Sequence, residues 1–249
     1  MIGSVEHYST SNRKRRTNLF GSRLLRVVLL AFVLYLVISR FFVATFRVES
    51  VSMKPELNPA DRVIVSSLAF GPRIPFSAVR FPGIGSPERG DLVVVQPPFF
   101  EERPVLARIF EPLASFFTLQ KATLHRDLYG RRLNSYMVKR IIGMPGDTVR
   151  MRNYLLSIRA RGASDFVAED QVVPIHYRMY EKSVAKYLPS ILPFSGSCEE
   201  ISLKDGEYFV LGDNRPESSD SRSWGPLPRS RIVGKVIFRY WPPRSIGKL

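Results

Sequence analysis

Two separated segments carry a serine and a lysine in settings that could support hydrolysis of an amide bond. The first, Ser50-Val51-Ser52-Met53-Lys54-Pro55, offers Ser52 as a nucleophile. The second places Lys139 among apolar neighbours in MVKRII. A serine hydroxyl needs a base to take its proton, and a neutral lysine can serve. Free lysine has a pKa of about 10.4, so only burial in apolar surroundings would make Lys139 a base near neutral pH. A lysine in such a segment, taken alone, more often faces solvent.

Other hydrolytic machinery is poorly represented in the sequence. The three histidines, His7, His125 and His176, fall in no metal-binding spacing, and there is no G-x-S-x-G segment. The single cysteine, Cys198, has no recognisable histidine partner. A Ser-His-Asp triad and a metal hydrolase therefore lack suitable residues, and the sequence predicts neither a metal site nor a cofactor.

A third polar segment lies near the end of the chain. It reads Gly212-Asp213-Asn214-Arg215 and continues with Ser218-Ser219-Asp220-Ser221-Arg222. Small, hydroxyl and charged residues follow an apolar run there, which is typical of a loop that leaves a buried strand.

The N-terminal part of the chain contains an apolar stretch that could anchor these segments to a membrane. The run Val27–Ser39 is uninterrupted, and residues 24–46 reach the roughly 20 residues that a span requires. Four basic residues, Arg13–Arg16, precede it, so residues 1–23 are predicted to be cytoplasmic and residues 47–249 to lie outside. A cleaved signal peptide and a buried core helix are the alternative interpretations.

The remainder of the chain is predicted to be mainly β. Short Val- and Ile-rich runs alternate with Gly, Pro and Asp, which favours antiparallel strands joined by turns. The runs cover residues 62–71, 90–98, 137–149, 206–213 and 232–242. Two proline-containing stretches, 99–135 and 150–205, are interpreted as loop-rich insertions in this domain.

The formal net charge of +15 favours an anionic partner. The sequence contains no zinc-finger spacing and no aromatic-basic RNA-binding motif, so we do not expect nucleic acid to be the partner. The densest basic cluster adjoins the apolar stretch, which favours anionic lipid.

The three segments together resemble the bacterial type I signal peptidases, or leader peptidases, a Ser-Lys dyad family of serine proteases. Members carry S-x-S-M-x-P just after a membrane anchor, then K-R-x-x-G-x-P-G-D, then G-D-N-x followed by S-x-D-S-R. All three motifs occur here in that order, and the resemblance covers residues 20–249.

The resemblance implies a role for each matching residue. Ser52 would be the acylating nucleophile and Lys139 the general base. Ser50 would complete the oxyanion hole, and Ser218 would orient the lysine. The walls of shallow substrate pockets would come from Val48, Met53, Leu57, Met137 and Val138. Structural support beside the site would come from Gly212, Asp213, Asn214, Asp220 and Arg222. If residues 48–52 are extended, Val48, Ser50 and Ser52 would point to one face.

By this resemblance the chain would be a membrane-bound endopeptidase that removes N-terminal signal peptides after Ala-x-Ala. It would lie in the inner (cytoplasmic) membrane as a single-pass protein with its catalytic domain on the outer, periplasmic face. Signal peptides, membrane lipid and the protein export machinery would be its partners. The alternatives are a specialised Ser-Lys processing protease and a non-catalytic, membrane-tethered β-domain that binds peptides. Glu49, which stands where the family usually has Pro, would harm catalysis only if it faced Lys139.

Overall fold

The computed structural model describes residues 22–35, 43–72, 80–99, 136–173 and 197–249. The chain divides into two compact units. The first comprises Met1–Ser39 and Pro104–His125, and the second comprises Arg40–Arg103 and Arg126–Leu249. The described part of the first unit is helix α1, residues 22–35. Most of the predicted cytoplasmic segment 1–23, and the predicted insertion 99–135 beyond its first residue, lie outside the described residues.

Helix α1 lies at the start of the predicted membrane anchor 24–46, and most of its apolar side chains are exposed. Among the described residues, no helix has the length and apolar character that crossing a membrane requires. The last part of the predicted anchor is not helical, because Val43–Arg47 form a strand. This strand pairs along its whole length with Arg62–Ser66. The ladder hydrogen bonds that it makes there explain why an apolar segment, read as part of a helix, is extended.

Strands and short helices make up the described part of the second unit. In chain order the strands are β1 (Val43–Arg47), β2 (Arg62–Ser66), β3 (Leu92–Val95), β4 (Met137–Gly143), β5 (Thr148–Arg152), β6 (Leu155–Arg159), β7 (Val167–Ala168), β8 (Cys198–Ser202), β9 (Glu207–Leu211), β10 (Leu227–Pro228), β11 (Ile232–Trp241) and β12 (Gly247–Lys248). The helices are α2 (Glu169–Val172), α3 (Ser221–Trp224) and the 3-10 turns Leu68–Phe70, Arg215–Glu217, Arg229–Arg231 and Pro243–Ser245.

The larger sheet has eight antiparallel strands in the order β1-β2-β11-β3-β4-β9-β10, with β12 paired to β11. Strands β2, β3, β4, β9 and β11 fall within the five apolar runs from which strands were predicted. The mainly β, antiparallel architecture is therefore confirmed.

Strand β3 lies at the centre of this sheet and is buried on both faces. Leu92 and Val94 pack in one hydrophobic cluster, whereas Val93 and Val95 pack in another. Successive side chains of a strand point to opposite faces, so a strand covered on both sides reads as a continuous apolar run. Burial of each such side chain stabilises the fold by about 1.5–3 kcal/mol.

A second sheet, in the order β7-β6-β5-β8, has its strands largely within the stretch 150–205 that was predicted to be a loop-rich insertion. That interpretation is wrong for the described residues 150–173 and 197–205, and residues 174–196 lie outside the description. Val149 and Met151 of β5 alternate with arginines and pack on Phe209 of the larger sheet. Only two apolar side chains, Val149 and Met151, alternate in β5, and this pattern is too short to identify a strand from the sequence.

Candidate active site

Strand β4 carries Lys139 at its middle, opposite Val93 of β3. The side chain is 1% exposed. Its Nζ lies 3.0 Å from Ser52 Oγ and 3.0 Å from Ser218 Oγ. The fold thus brings together three residues that are 87 and 79 positions apart in the chain.

The surroundings of Lys139 make it a weaker base than a free lysine. Burial lowers its pKa from 10.5 to about 8, and the positive charge of Arg222 acts in the same direction. The negative charges of Asp220 and Asp213 oppose this shift. About one lysine in ten is then neutral at pH 7, which makes proton abstraction from Ser52 accessible.

The segment that carries Ser52 is a turn rather than the extended strand that the sequence suggested. The Lys54 N–H donates to the Val51 carbonyl at 3.1 Å, and the Leu57 N–H donates to the Met53 carbonyl at 2.8 Å. This turn nevertheless brings the hydroxyls of Ser50 and Ser52 to 2.9 Å from each other. Ser52 is buried and Ser50 is exposed, so the pair lies at the boundary between the protein interior and solvent.

Gly212, just after β9, allows the Ser52 turn and Ser218 to approach closely. A Cβ at this position would lie 2.2 Å from Ser218 Oγ and 2.5 Å from the Ser52 carbonyl oxygen. The neighbouring Asn214 fixes the turn, because its backbone N–H donates to the Ser52 carbonyl at 3.0 Å and its Nδ2 donates to the Val51 carbonyl at 3.1 Å. Only a residue without a side chain fits between these groups.

Asp220 and Arg222 form a buried ion pair beneath the lysine. Arg222 Nε and Nη2 each donate to the Asp220 carboxylate at 2.8 Å. Arg222 Nη2 also donates to the Ser218 carbonyl at 3.3 Å, and Asp220 accepts the Gly212 N–H at 3.1 Å. Burial raises the pKa of Asp220, but hydrogen bonding and charge from Arg222 outweigh it, so that pKa is lowered and the carboxylate stays ionised.

Asp213 pairs with Arg140, the residue that follows Lys139 in β4. Its carboxylate accepts from Arg140 Nε at 2.9 Å and from Arg140 Nη2 at 2.7 Å, and both side chains are buried. Arg140 Nη1 also donates to the Gly90 carbonyl at 2.9 Å. This bidentate pair joins the end of β9 to the residue after Lys139.

The predicted pocket residues do not all lie together. Val48, Met53 and Leu57 are buried in one cluster, and Val138 packs against it. Met137 packs in the cluster on the other face of the sheet. Adjacent residues of a strand point to opposite faces, so Val138 faces the first cluster, whereas Met137 shares the opposite face of β4 with Lys139. Glu49 is exposed, and the charges that act on Lys139 come from Asp220, Arg222 and Asp213.

One buried pair near the site was not anticipated from the sequence. Arg215 donates to Glu169 of α2 from Nη2 at 2.6 Å and from Nη1 at 3.0 Å, and both side chains are buried. Nothing local in the sequence indicates this pair, since 46 residues separate its members.

The described residues include no group of three or more His, Cys, Asp or Glu side chains that could hold a metal ion. The neighbours of Ser52 and Lys139 are hydroxyls, backbone carbonyls and ion pairs.

The known proteins to which this chain is similar are described as signal peptidases or processing peptidases. The sequence profile of a family described as signal peptidase, peptidase S26, matches residues 22–241. Signal peptidase I of Pseudomonas aeruginosa is 29% identical over 242 residues, which cover 86% of this chain and 71% of that protein. Signal peptidase I of Bacillus licheniformis is 27% identical over 225 residues, which cover 90% of each.

A plant relative is longer. Thylakoidal processing peptidase 1, chloroplastic, of Arabidopsis thaliana is 30% identical over 200 residues, which cover 80% of this chain and 42% of that protein. The chain therefore spans less than half the length of this peptidase. Among solved structures, signal peptidase I of Enterococcus faecalis is similar with a TM-score of 0.31 and 22% identity, covering 61% of this chain and 97% of that one.

Proposed function

Because the chain belongs to the signal peptidase family, peptidase S26, a family of serine peptidases, we propose that it removes N-terminal signal peptides from exported preproteins. The observation that carries this proposal is the position of Lys139. Its amine is buried between the hydroxyls of Ser52 and Ser218, and burial lowers its pKa to about 8. A serine beside a neutral, oriented amine is an activated nucleophile.

The proposed reaction passes through an acyl-enzyme. Ser52 Oγ attacks the scissile carbonyl carbon as neutral Lys139 takes its proton. The C–N bond then breaks, and the lysine ammonium gives that proton to the leaving amine. Water attacks the resulting ester, again with Lys139 as proton acceptor, which releases the signal peptide and restores Ser52. Ser218 holds the lysine amine in position through both steps.

Oxyanion stabilisation is proposed to come from the Ser50 hydroxyl and the Ser52 backbone N–H. The 2.9 Å separation of the Ser50 and Ser52 hydroxyls supports this role for Ser50. A donor in such a position is worth about 3–4 kcal/mol in the transition state.

Preference for small residues before the cut is proposed to follow from the apolar cluster beside Ser52. Val48, Met53 and Leu57 are closely packed there, and Val138 packs against them. A shallow site with such walls excludes large side chains sterically, which would select Ala-x-Ala. Met137 packs on the face of β4 opposite Val138, which is the face that Lys139 occupies, and its place in the pocket stays a prediction.

The proposed location is the inner membrane, with the N-terminus cytoplasmic and the catalytic domain on the periplasmic face. The uninterrupted apolar run Val27–Ser39 and the basic cluster Arg13–Arg16 support it. Signal peptides, anionic lipid and the export machinery are the proposed partners.

The test is cleavage, in detergent, of a panel of unrelated preproteins that bear Ala-x-Ala sites. The full chain and its Ser219→Ala variant, whose mutated hydroxyl is exposed, should cut the panel. Ser52→Ala should lose at least about 10³-fold in kcat. Cleavage by Ser52→Ala at the wild-type rate would refute the assignment of the nucleophile. Cleavage of a single member of the panel would instead identify a specialised processing protease, and no cleavage would favour a peptide-binding domain.

A further inference from the structure

Glu169 and Arg215 form the most completely buried ion pair between the two sheets of the described chain, with side chains 5% and 0% exposed. Glu169 begins α2, which follows β7 of the second sheet. Arg215 follows β9 of the larger sheet by four residues. The pair therefore connects the second sheet to the loop that carries Gly212, Asn214 and Ser218.

The remaining contacts of Arg215 lead directly toward the lysine. Its Nε donates to the Gly212 carbonyl at 3.1 Å. Its own carbonyl accepts from Arg222 Nη2 at 2.6 Å. Arg222 in turn holds Asp220 and the Ser218 carbonyl.

Gly212 is consequently held from both sides of its backbone. Asp220 accepts its N–H, and Arg215 donates to its carbonyl. A Cβ added at Gly212 would lie 2.2 Å from Ser218 Oγ and 2.5 Å from the Ser52 carbonyl oxygen, so the position of the Gly212 backbone limits where both groups can lie. The distance from Lys139 Nζ to its two hydroxyl partners depends on the same contacts.

A contribution to the free energy of folding does not explain why the Glu169–Arg215 ion pair is buried. Removing two charges from water is costly, and an apolar pair of similar volume is often equally or more stabilising. A guanidinium, however, supplies a planar fork for Glu169 together with a third donor for Gly212, and a lysine or an apolar side chain cannot do both.

We propose that Glu169 and Arg215 are positioning residues, through which the second sheet fixes the Gly212–Arg222 loop against Lys139 and Ser52. The proposal rests on the proposed peptidase function only for its kinetic readout. Loosening of this loop admits water to Lys139, and burial is the largest cause of its lowered pKa. That pKa then rises toward its ordinary value, and the orientation of the amine is lost.

The experiment compares the full-length enzyme with Arg215→Lys, with the double variant Glu169→Met/Arg215→Met, and with Arg89→Lys as control. Arg89 pairs with Asp147, which immediately precedes β5 of the second sheet, at 2.8 Å, and it also donates to the Ile142 carbonyl. Each variant is measured for thermal unfolding, for kcat and KM on a preprotein, and for the Lys139 pKa by NMR titration of labelled lysine without substrate.

Arg215→Lys is expected to lower kcat roughly 10-fold or more, to change KM less than about twofold, and to raise the Lys139 pKa by about one or more. The double variant is expected to unfold near the wild-type temperature and still to show both defects, whereas Arg89→Lys should show neither.

Wild-type kcat and Lys139 pKa in folded Arg215→Lys or in the double variant would overturn the proposal. If Arg215→Lys does not fold, the double variant decides alone, and if neither folds, the pair is only structural and the proposal fails. If the wild type cleaves no preprotein, the proposed function fails, but the lysine titration still tests the positioning role.

Discussion

Two lysines lie opposite the same residue, Val93, on the two strands that flank β3, and their surroundings differ. Lys235 of β11 is about one third exposed and pairs with Asp91 at 2.6 Å. Lys139 of β4 is fully buried, and its amine contacts two hydroxyls instead of a carboxylate. A carboxylate partner favours the charged form of a lysine, whereas apolar burial favours the neutral form. The comparison shows that the fold, and not the residue type, decides which lysine can act as a base.

The same contrast holds for ion pairs in the two sheets. Beside the candidate site, Arg140–Asp213 is at most 4% exposed. On the second sheet, Arg161–Asp205 is 72% and 84% exposed. A buried pair fixes geometry because breaking it leaves an unpaired charge, whereas water replaces an exposed partner at little cost.

Lysine substitutions should give the largest difference. Lys139→Met is expected to lower kcat by at least about 10³-fold because Ser52 loses its base. Lys235→Met is expected to change kcat less than about twofold. Cleavage rates of a preprotein measure both effects. A comparable loss in the two variants would contradict the role of Lys139 as the base.

The stability of Lys139→Met provides a second measurement on the same variant. The pKa of this lysine is about 8 in the folded chain and 10.5 in the unfolded one. The folded state therefore carries a penalty that is complete below pH 8 and disappears as the pH rises to 10.5. The variant should be more stable than the wild type at pH 7 by up to about 3 kcal/mol, with a smaller gain at pH 10. Lower stability at pH 7 in denaturant titrations would contradict the assigned burial penalty.

The next largest effect is expected at Gly212. Gly212→Ala places a Cβ 2.2 Å from Ser218 Oγ, so the lysine partner or the Ser52 turn must move. We expect a loss of about 10²-fold in kcat. Gly247→Ala, where a Cβ meets nothing within 4 Å, is the matched control and should be active. Full activity of Gly212→Ala would show that the loop adapts without disturbing the dyad.

Breaking one buried ion pair should test the contrast between the sheets. Asp213→Asn leaves Arg140 without its charged partner and is expected to lower the free energy of unfolding by about 3 kcal/mol. Asp205→Asn removes the partner of the exposed Arg161 and should change it by less than about 0.5 kcal/mol. Denaturant titrations of the two variants measure the difference. Equal values would mean that burial does not distinguish the pairs.

The smallest predicted effect is the pH dependence of the wild-type rate. Neutral Lys139 is the reactive form, so kcat/KM should rise with pH through an apparent pKa of about 8. The rise between pH 7 and pH 9 should be roughly tenfold. Initial rates of preprotein cleavage at constant ionic strength measure it. A rate that is flat over this range would contradict a lysine base with a pKa near 8.

Sequence reasoning identified the strands that are apolar along their length but missed those that are not. Strands β2, β3, β4, β9 and β11 were predicted because both faces, or one long face, are buried. Strand β1 was assigned to a membrane anchor because its apolar residues continue an apolar run. The second sheet was missed because its strands, TVRMR, LLSIR, VA and CEEIS, are short and contain too few apolar residues to form a recognisable period.

Sequence reasoning likewise identified some residues of the candidate site and missed others. Ser52, Lys139 and Ser218 could be named because each lies in a recognisable motif. The fold brings the hydroxyls of Ser52 and Ser218 to 3.0 Å each from Lys139 Nζ. Glu169 could not be named, since its partner is 46 residues away and no local pattern requires it. Met137 and Val138 were both assigned to the substrate pocket by the resemblance, whereas the pleat of β4 directs them to opposite faces, with Met137 on the same face as Lys139.

The sequence by itself determined the reactive residue types, their order along the chain and the apolar runs that become the central strands, because these depend on local composition and spacing. The tertiary structure decided that Ser52 lies in a turn, that Lys139 is buried with no directly bonded carboxylate among the described residues, and that Glu169, beside the second sheet, pairs with Arg215 of the Gly212–Arg222 loop. These features depend on contacts between segments that lie many residues apart. Burial and pairing, which set the pKa of the lysine and the cost of each charge, exist only after those segments have packed.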